Sequence, residues 1–443
     1  MAEAVAMDMS HTSEAAEVPA GYRRTQIGII PQDWELKPIG ELLEFKNGLN
    51  KAKQYFGYGT PIINYMDVFE HTGIRQEHVA GLVDVTNKEK DSYSARKGDV
   101  LFTRTSETLD EIGYASVVLE DIEAAVFSGF VLRGRPKSDE LRDDYKRYCF
   151  RSEAVREQIV SKGTYTTRAL TNGRALSSVL LPFPPDQDEQ AAVAGALKDQ
   201  DQLISDIKRL IEKKRKVREG SLQELVNGKR RLSGFSKKWE EKSFGEVFSF
   251  GSTATNSRAD LASSGDLAYV HYGDIHTIFH SHLDFQSQEL PRIDSALCPR
   301  ATPLRNGDWL MADASEDVDG VGKAVEVLGL DEGERAVSGL HTFLLREKLK
   351  TFAPGFKGHL GNSDSLKKQY QRVMTGMKVF GVSKAALKDL VVPVPDWDEQ
   401  VAIAKVLNEL DSEIYALEQQ LFKTTSIRDG MTQNLLIGRV RLV

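Results

Sequence analysis

The sequence has little cysteine and no long apolar run. Its 443 residues include two cysteines, Cys149 and Cys298, which have neither metal-ligand nor redox spacing. We therefore expect reduced thiols in a cytoplasmic protein. No run of about 18 apolar residues occurs, which argues against a membrane-spanning helix. The first twenty residues lack the basic start and the apolar stretch of a secretory signal, and we interpret residues 1–20 as a flexible N-terminal tail.

The chain also lacks an excess of basic residues. Its 58 lysines and arginines stand against 65 aspartates and glutamates, a formal net charge of −7. This balance argues mildly against a protein that binds nucleic acid without the help of a partner. Phosphate binding depends on local Lys and Arg, however, so the net charge does not exclude it. The length is sufficient for two or three domains with their own cores.

Motifs of catalysis are missing as well. The Pro184-Pro185 pair lacks the polar and aromatic flanks with which methyltransferases hold a flipped base. Gly228-Lys229 and Gly322-Lys323 do not match a phosphate-binding loop, and the nine histidines show no zinc spacing. Pro185-Asp186 and Glu212-Lys213-Lys214 would lie at opposite ends of one helical stretch, so they could not form a magnesium-dependent nuclease site. We predict no catalytic residues and no metal site; an unrecognised active site is the alternative.

What the sequence does contain is an internal duplication at an offset of 210 residues. Asp188-Glu189-Gln190 recurs as Asp398-Glu399-Gln400, each time after a proline-rich turn and before a gapless match of about forty residues. Earlier in each half, Gly98-Asp99-Val100-Leu101 returns as Gly307-Asp308-Trp309-Leu310. The intervening segments differ. The chain is therefore organised as variable module, matched block, variable module, matched block.

Each matched block is predicted to form one long helix. Its apolar residues have the 4-3-4-3-4 spacing of a coiled-coil seam, with one polar interruption at Gln200. The seam residues are Val193, Leu197, Gln200, Ile204, Ile207 and Ile211 in the first copy, and Ile403, Leu407, Leu410, Ile414, Leu417 and Leu421 in the second. A helix that ends at Gly228 or Gly438 has about 40 residues and is roughly 60 Å long.

Two such seams can bury each other. We expect an antiparallel pair of coiled-coil helices that relates the halves by a pseudo-two-fold axis and separates two globular modules. The alternative is that each helix packs on its own module as ordinary core. The modules mix β-type runs such as Val100-Leu101-Phe102 and Ala125-Val126-Phe127 with a helix predicted over Leu141 to Ser161, so the expected fold class is α+β.

This layout resembles the DNA specificity subunits of type I restriction-modification systems. The likeness extends from about Tyr22 to Val443, with Trp34 and Trp239 opening the two modules, and it is most specific over Pro185 to Leu197 and Pro395 to Leu407. The resemblance implies a non-catalytic subunit of a DNA adenine methyltransferase and type I restriction endonuclease complex. Such a subunit binds a bipartite, asymmetric double-stranded DNA target. S-adenosylmethionine, ATP and Mg²⁺ are then expected on partner subunits, with no cofactor on this chain.

The resemblance also implies the partners and the division of the chain. Two methyltransferase subunits would dock on the paired helices, and whether two motor-nuclease (restriction) subunits join stays open. The predicted partner-docking residues are Asp188, Glu189, Gln190, Asp398, Glu399 and Gln400. The predicted boundaries are 21–181 for target-recognition domain 1 (the first module), 182–232 for spacer helix 1, 233–391 for target-recognition domain 2 (the second module) and 392–443 for spacer helix 2.

Polar clusters in the modules supply the candidate DNA contacts, because Lys, Arg and hydroxyl groups bind phosphates and Arg, Asn and Gln read base edges. The candidates are Lys51, Lys53, Thr103, Arg104, Thr105, Ser106, Tyr165, Thr167, Arg168, Asn172 and Arg174 in the first module, and Asn256, Arg258, His271, Tyr272, His276, Arg372 and Lys378 in the second. Solvated loops are the alternative interpretation. Residues 312–315 read Ala-Asp-Ala-Ser where residues 103–106 read Thr-Arg-Thr-Ser, which makes a shared phosphate contact doubtful.

Two further interpretations stay open. The basic stretch from Lys208 to Arg231 is a solvated helix face, a DNA-backbone contact or a docking surface for a methyltransferase. The whole chain could also be a structural adaptor that pairs helices with a partner without reading DNA. Substitution of Arg104 or Arg168 separates the two functions, because an adaptor would keep sequence-specific methylation.

Overall fold

The computed structural model describes residues 18–442, so residues 1–17 of the predicted tail lie outside the described residues. The chain forms two compact units. The first unit consists of residues 18–207 and 420–442, and the second unit is Lys208–Gln419. Among the described residues, none of the helices combines the length and apolarity that crossing a bilayer requires.

The first unit contains fifteen strands and six short helices before its long helix begins. The strands are β1 Tyr22–Thr25, β2 Gly28–Pro31, β3 Glu35–Pro38, β4 Leu43–Asn47, β5 Phe56–Ile63, β6 Gly73–Ile74, β7 Leu82–Val83, β8 Val100–Thr103, β9 Thr105–Ser106, β10 Ala115–Val118, β11 Val126–Phe127, β12 Val131–Pro136, β13 Thr164–Tyr165, β14 Ala169–Leu170 and β15 Leu180–Phe183. The helices are α1 Ile39–Leu42, α2 Tyr65–Glu70, α3 Asn87–Ser92, α4 Asp143–Cys149, α5 Glu153–Ser161 and α6 Gly173–Ser177.

The second unit repeats this plan with fewer peripheral elements. Its strands are β16 Glu240–Ser243, β17 Phe248–Gly251, β18 Leu267–Val270, β19 His282–Asp284, β20 Arg292–Ile293, β21 Trp309–Ala312, β22 Ala314–Ser315, β23 Ala324–Leu328, β24 Ala336–Ser338, β25 Thr342–Glu347, β26 Phe380–Gly381 and β27 Val391–Val394. Its short helices are α8 Phe244–Val247, α9 Tyr272–Thr277, α10 Phe356–Leu360, α11 Asp364–Val373 and α12 Lys384–Lys388. The two long helices, numbered α7 and α13 by their place in the chain, are Gln187–Leu225 and Trp397–Leu435.

Both modules contain the same five-stranded sheet. The strand order is β4-β12-β8-β10-β6 in the first and β17-β25-β21-β23-β19 in the second. In each sheet the first four strands of this order pair with one another in antiparallel fashion, and the fifth strand pairs with the fourth in parallel. The predicted α+β class and internal repeat are therefore confirmed.

The repeated Gly-Asp pair has a structural role in these sheets. Gly98 and Gly307 have φ angles of +86° and +84°, a backbone conformation that glycine adopts without steric cost. The aspartate that follows is buried and receives two hydrogen bonds from an arginine on the neighbouring strand, Arg135 for Asp99 at 2.9 and 2.8 Å, and Arg346 for Asp308 at 2.7 and 2.6 Å. The motif thus stabilises a tight turn into the central strand.

The two long helices have the predicted length. Each has 39 residues, and each ends just before a glycine with positive φ, Gly228 at +66° and Gly438 at +73°. Within the second unit Arg215 pairs with Glu418 and Arg218 with Asp411, so the two helical segments run antiparallel there. In the first unit Asp201 pairs with Arg428.

The helices also contribute to the module cores. Val193, Leu197 and Leu435 belong to the main apolar core of the first unit, and Leu222, Ile403 and Leu407 to that of the second. The predicted pairing of the helices is therefore confirmed, and both helices also contribute side chains to the module cores. One cysteine lies in each unit, and both Cys149 and Cys298 are buried and unpaired by a disulfide.

The helix predicted over Leu141 to Ser161 is wrong as a single element. It consists of α4 and α5, which are separated at Phe150–Ser152. Ser152 has an extended backbone (φ −63°, ψ 150°) at the start of α5, and the Arg151 side chain binds the Ala115 carbonyl through two nitrogens at 3.1 and 2.8 Å. These tertiary contacts override the continuous helical periodicity of the sequence.

Candidate nucleic-acid interface

Two of the three polar clusters predicted in the first module meet in one small sheet. Strand β14 lies between β13 and β9, with Ala169 opposite Ser106 and Leu170 opposite Thr105. The Thr171 amide donates to the Arg104 carbonyl at 2.9 Å, and Arg168 forms an ion pair with Glu107 at 3.1 Å. The structure therefore brings residues 103–106 and 165–174 together, although they are distant in sequence.

The third cluster, residues 47–53, adjoins the same region through Gly129. The Gly129 amide donates to the Leu49 carbonyl at 2.7 Å, while the Gly129 carbonyl accepts from Arg104 Nη1 at 3.3 Å. Lys51 forms an ion pair with Glu89 at 2.9 Å and lies over the Tyr55 ring. The first two polar clusters are thus in direct contact, and the third is connected to them through Gly129.

The candidates in the first module differ in exposure. Exposed side chains are Lys53, Tyr165, Thr167, Arg168, Asn172 and Arg174. Lys51, Arg104 and Thr105 are half-buried, and Thr103 and Ser106 are buried. The Thr103 hydroxyl donates to the Glu111 carbonyl at 2.8 Å, and Asn172 accepts from the Ala175 amide at 3.0 Å, so these two side chains have local structural roles.

The second module has a corresponding face around Asp313. The Asp313 amide donates to the His341 carbonyl at 3.1 Å, and the Val382 amide donates to the Asp313 carbonyl at 3.0 Å. Strand β22 pairs with β26 beside it, and the segment 375–381 that carries Lys378 closes on itself through the Thr375 and Gly381 backbones. Arg372 lies one residue before the end of α11.

The histidine cluster of the second module also adjoins this face. Tyr272 packs edge-on against His276 and His341, with ring centroids 6.1 and 5.4 Å apart, and the His276 ring contacts the Ala314 carbonyl at 3.2 Å. His271 instead accepts from the Gly273 amide at 3.0 Å and begins α9. Burial, reinforced by the nearby Arg258, lowers the pKa of His271, so this imidazole is predominantly neutral at neutral pH.

The remaining candidates of the second module show a similar range. Arg258, Arg372 and Lys378 are exposed, Asn256, Tyr272 and His276 are half-buried, and His271 is buried. Arg258 forms an ion pair with the buried Asp274. A neighbouring cleft of about 590 Å³ includes Tyr272, His276, Lys323 and the carboxylates of Glu316 and Asp317. The electrostatic surroundings are therefore mixed, unlike the arginine-rich face of the first module.

Sequence reasoning did not select Asp313, His341 or Phe130 as candidates. Phe130 and His341 occupy equivalent places, because their carbonyls accept from the Arg104 and Asp313 amides at 2.9 and 3.1 Å. Phe130 is 55% exposed, and His341 has a φ of +57°. The signal that could have found them is the mismatch between residues 103–106 and 312–315 inside an otherwise repeated strand.

The six predicted docking residues divide into two groups. Glu189, Gln190, Glu399 and Gln400 are buried. Arg441 and Arg231 form ion pairs with the two glutamates, and Trp239 Nε1 also donates to Glu399 at 2.8 Å. Each glutamine binds three backbone groups of its own unit, those of Arg142, Glu140 and Pro184 for Gln190 and those of Ala353, Thr351 and Pro395 for Gln400.

These contacts explain why the motif recurs: it fixes the first turn of each long helix on its own module. Only Asp188 and Asp398 of the six are exposed, so a docking contact by side chains rests on these two.

The basic stretch 208–231 is largely paired inside the chain as well, with Lys214, Arg215 and Arg218 bound to Glu413, Glu418 and Asp411. Among residues 18–442, no three His, Cys, Asp or Glu side chains are placed to hold a metal ion.

Comparison with a family model and comparison with curated proteins both find type I restriction specificity proteins. The family model described as "Type I restriction modification DNA specificity domain" matches residues 31–214. A curated relative from Methanocaldococcus jannaschii, named as a putative type I restriction enzyme specificity subunit, is 22% identical over 95% of this chain and 97% of its own length.

Solved structures show the same fold at lower sequence identity. The S subunit of a type I restriction-modification system from M. genitalium is 17% identical, with a TM-score of 0.52 over 91% of this chain and 96% of its own. A chain from a structure on complex assembly and conformational transition of the type I restriction-modification system is 14% identical, with a TM-score of 0.60 over 93% of this chain and 99% of its own.

Proposed function

Because the chain belongs to the DNA specificity subunits of type I restriction-modification systems, we propose that each of its modules reads one half of a bipartite, asymmetric double-stranded DNA target. As a specificity subunit it is the non-catalytic component of its complex. One observation carries the proposal: the same sheet framework presents Arg104 in the first module and Asp313 in the second. Two modules with equal frameworks and unequal side chains suit two different half-sites.

The candidate contacts would act at these faces. Exposed donors such as Arg168, Arg174, Arg372 and Lys378 suit phosphates or base edges. The buried Thr103, Ser106 and His271 would support neighbouring residues rather than touch DNA. The proposed recognition domains are residues 21–181 and 233–391, joined to the spacer helices at 182–232 and 392–443.

The proposed partners follow from the same assignment. Two methyltransferase subunits would dock on the paired helices, near the exposed Asp188 and Asp398, and motor-nuclease subunits would join where the system also restricts. S-adenosylmethionine would then belong to the methyltransferase subunits, and ATP and Mg²⁺ to the motor-nuclease subunits. We also propose a cytoplasmic location, where such a complex meets chromosomal and incoming DNA.

Exchange of one module tests this function. Residues 21–181 are replaced by the corresponding module of a relative with another target, and N6-methyladenine is mapped across the host genome by single-molecule sequencing. The expected result is a split motif in which one half-site changes and the other stays. The matched exchange of residues 233–391 should change the opposite half-site. A change of both halves by either exchange contradicts the proposal. The adaptor alternative is excluded if the split motif disappears when the gene is deleted.

A further inference from the structure

One backbone position carries opposite charges in the two modules. Arg104 and Asp313 each follow the central strand of a five-stranded sheet, and each amide donates to the residue just before the neighbouring strand, Phe130 or His341. Each carbonyl accepts from the segment that follows the β14 or β26 strand, at 2.9 and 3.0 Å. The two side chains therefore start from equivalent places in equivalent frameworks.

The Asp313 carboxylate has few hydrogen-bond donors around it. Its Oδ1 atom is buried and lies 3.3 Å from Nδ1 of His341, and no other donor bonds to it within the described residues. Burial raises the pKa of this carboxyl. His341 itself has a φ of +57°, a conformation that costs free energy in a residue with a side chain and that recurs at functional sites.

Arg104 is held as a donor in the equivalent place. Its Nη1 donates to the Gly129 carbonyl at 3.3 Å, and its Nε is buried without a partner in the described residues. Exposed apolar side chains occur on the segments that bond to both positions: Phe130 is 55% exposed in the first module, and Met377 and Val379, which precede Val382, are 94% and 55% exposed in the second. Such side chains are suited to the groove of DNA, where apolar groups contact the thymine methyl.

The chemistry of base edges separates the two positions. An arginine fork matches the O6 and N7 acceptors of guanine in the major groove, whereas a carboxylate accepts from the N4 amino group of cytosine. Adenine offers a donor too, but its N7 acceptor beside it repels a carboxylate. A carboxylate is also repelled by phosphates, so a DNA contact by Asp313 would have to be made to a base.

We propose that residues 104 and 313 are specificity-determining: Arg104 reads a guanine in one half-site, and Asp313 reads a cytosine in the other. This inference rests on the proposed function of the two modules. His341, whose Nδ1 lies 3.3 Å from the Asp313 carboxylate, is assigned no base. The two half-sites accordingly differ at the base pair that faces this position.

Isosteric substitution in the full complex tests the proposal. Asp313→Asn converts the acceptor into an amide, which pairs with adenine N6 and N7. In cells that carry the variant with its methyltransferase partner, methylation of a randomised DNA library should show one cytosine of the second half-site replaced by adenine. The expected change in preference is roughly tenfold or more, with the first half-site unaltered.

Arg104 offers the matched pair of variants. Arg104→Gln is expected to replace guanine by adenine at one position of the first half-site, while Arg104→Lys keeps the charge and should keep guanine. A motif that stays unchanged while methylation falls evenly at all sites would identify a phosphate contact and overturn the proposal. The unsubstituted chain is the control: its split motif upholds the proposed function even if the variants leave every base unchanged.

Loss of folding is distinguished by a second variant. If Asp313→Asn gives no methylation at any site, Asp313→Ser is measured in the same library. Its shorter hydroxyl donates and accepts, so all four bases are expected at the affected position. Retention of cytosine by either active variant contradicts the assignment.

Discussion

The two units build the same polar centre between helix and module from different side chains. In the first unit Asp201 accepts from Arg428 at 3.0 Å and from the Tyr148 hydroxyl at 2.9 Å. In the second unit Asp411 accepts from Arg218 at 2.8 and 3.1 Å, and the same guanidinium contacts His359 at 3.4 Å. The aspartate and arginine come from the duplicated helices, and the third group comes from the module. The helices thus keep the same Asp–Arg pair in both units, and the module side chain that contacts this pair differs.

A buried lysine two residues earlier shows the same contrast more strongly. Lys357 is bound by the carboxylates of Glu326 and Glu347 at 3.1 and 2.6 Å. Lys146 donates instead to the Gly98 carbonyl at 3.0 Å and to Asp143 at 2.7 Å, whose side chain is 39% exposed. The second unit therefore encloses its lysine with two carboxylates, whereas the first unit pairs an equally buried lysine with one carboxylate that is partly exposed.

Substitution of these two lysines should produce the largest difference in stability between the units. Lys357→Met leaves two carboxylates without their cation, and we expect it to destabilise the second unit by about 3–5 kcal/mol. Lys146→Met removes weaker bonds and should cost the first unit about 1–2 kcal/mol. Hydrogen exchange of the central strands β21 and β8 measures the opening free energy of each unit. Equal losses in both units would show that the difference in burial has no energetic consequence.

The histidine in the second centre should give that unit an acid-sensitive component that the tyrosine of the first centre does not provide. Burial, with further contributions from His282 and Arg218, lowers the pKa of His359 well below its usual value. The unfolded chain takes up a proton on this residue near pH 6.5, while the folded chain does not. The stabilising contribution of the neutral imidazole is therefore present above about pH 6.5 and declines below it, by at most about 1.4 kcal/mol per pH unit.

Urea unfolding at pH 7.5 and 5.5 measures this dependence. His359→Gln keeps a donor toward Asn408, which the imidazole Nε2 contacts at 2.7 Å, and cannot titrate. We expect the variant to have the shallower decline. Burial raises the pKa of Tyr148 in the first unit, so Tyr148→Phe should leave the acid dependence as it is. An unchanged slope in His359→Gln would assign the acid sensitivity to other groups.

The smallest effect is expected on the exposed helix surface. Lys214 and Arg215 pair with Glu413 and Glu418 in the second unit, whereas the equivalent first-unit positions are Thr424 and Thr425. The double variant Lys214→Thr, Arg215→Thr should change the free energy of unfolding by less than about 1 kcal/mol. Thermal unfolding at low and high salt checks this. A larger, salt-insensitive loss would show that the basic stretch contributes more than surface ion pairs.

The long helices could be predicted because their determinants are local. The seam spacing and the terminal Gly228 and Gly438 lie within single segments, and the observed helices of 39 residues agree with the expected length. The role of Glu189 could not be predicted, because its partner Arg441 is 252 residues away. A charged motif at the start of a helix is predicted to lie on the surface unless the residue that pairs with its charge is known.

The candidate DNA-binding residues were predictable only as separate clusters. Sequence patterns selected residues 103–106 and 165–174, but not the β9–β14 pairing that joins them. Asp313 and His341 were not selected, since one is acidic and the other lies outside the polar clusters that the sequence pattern marked. Their relation depends on a backbone hydrogen bond between strands, and no spacing rule specifies such a contact.

Because each unit contains one buried cysteine, thiol reactivity can be used to measure the opening of each unit separately. Cys149 is 1% exposed in the first unit, and Cys298 is 7% exposed in the second. Burial raises the pKa of both thiols, so the reactive thiolate is scarce while the units are closed. Alkylation of each thiol, resolved by peptide mass, should follow the rate at which its own unit opens, and would show which unit yields first when the chain meets or leaves DNA.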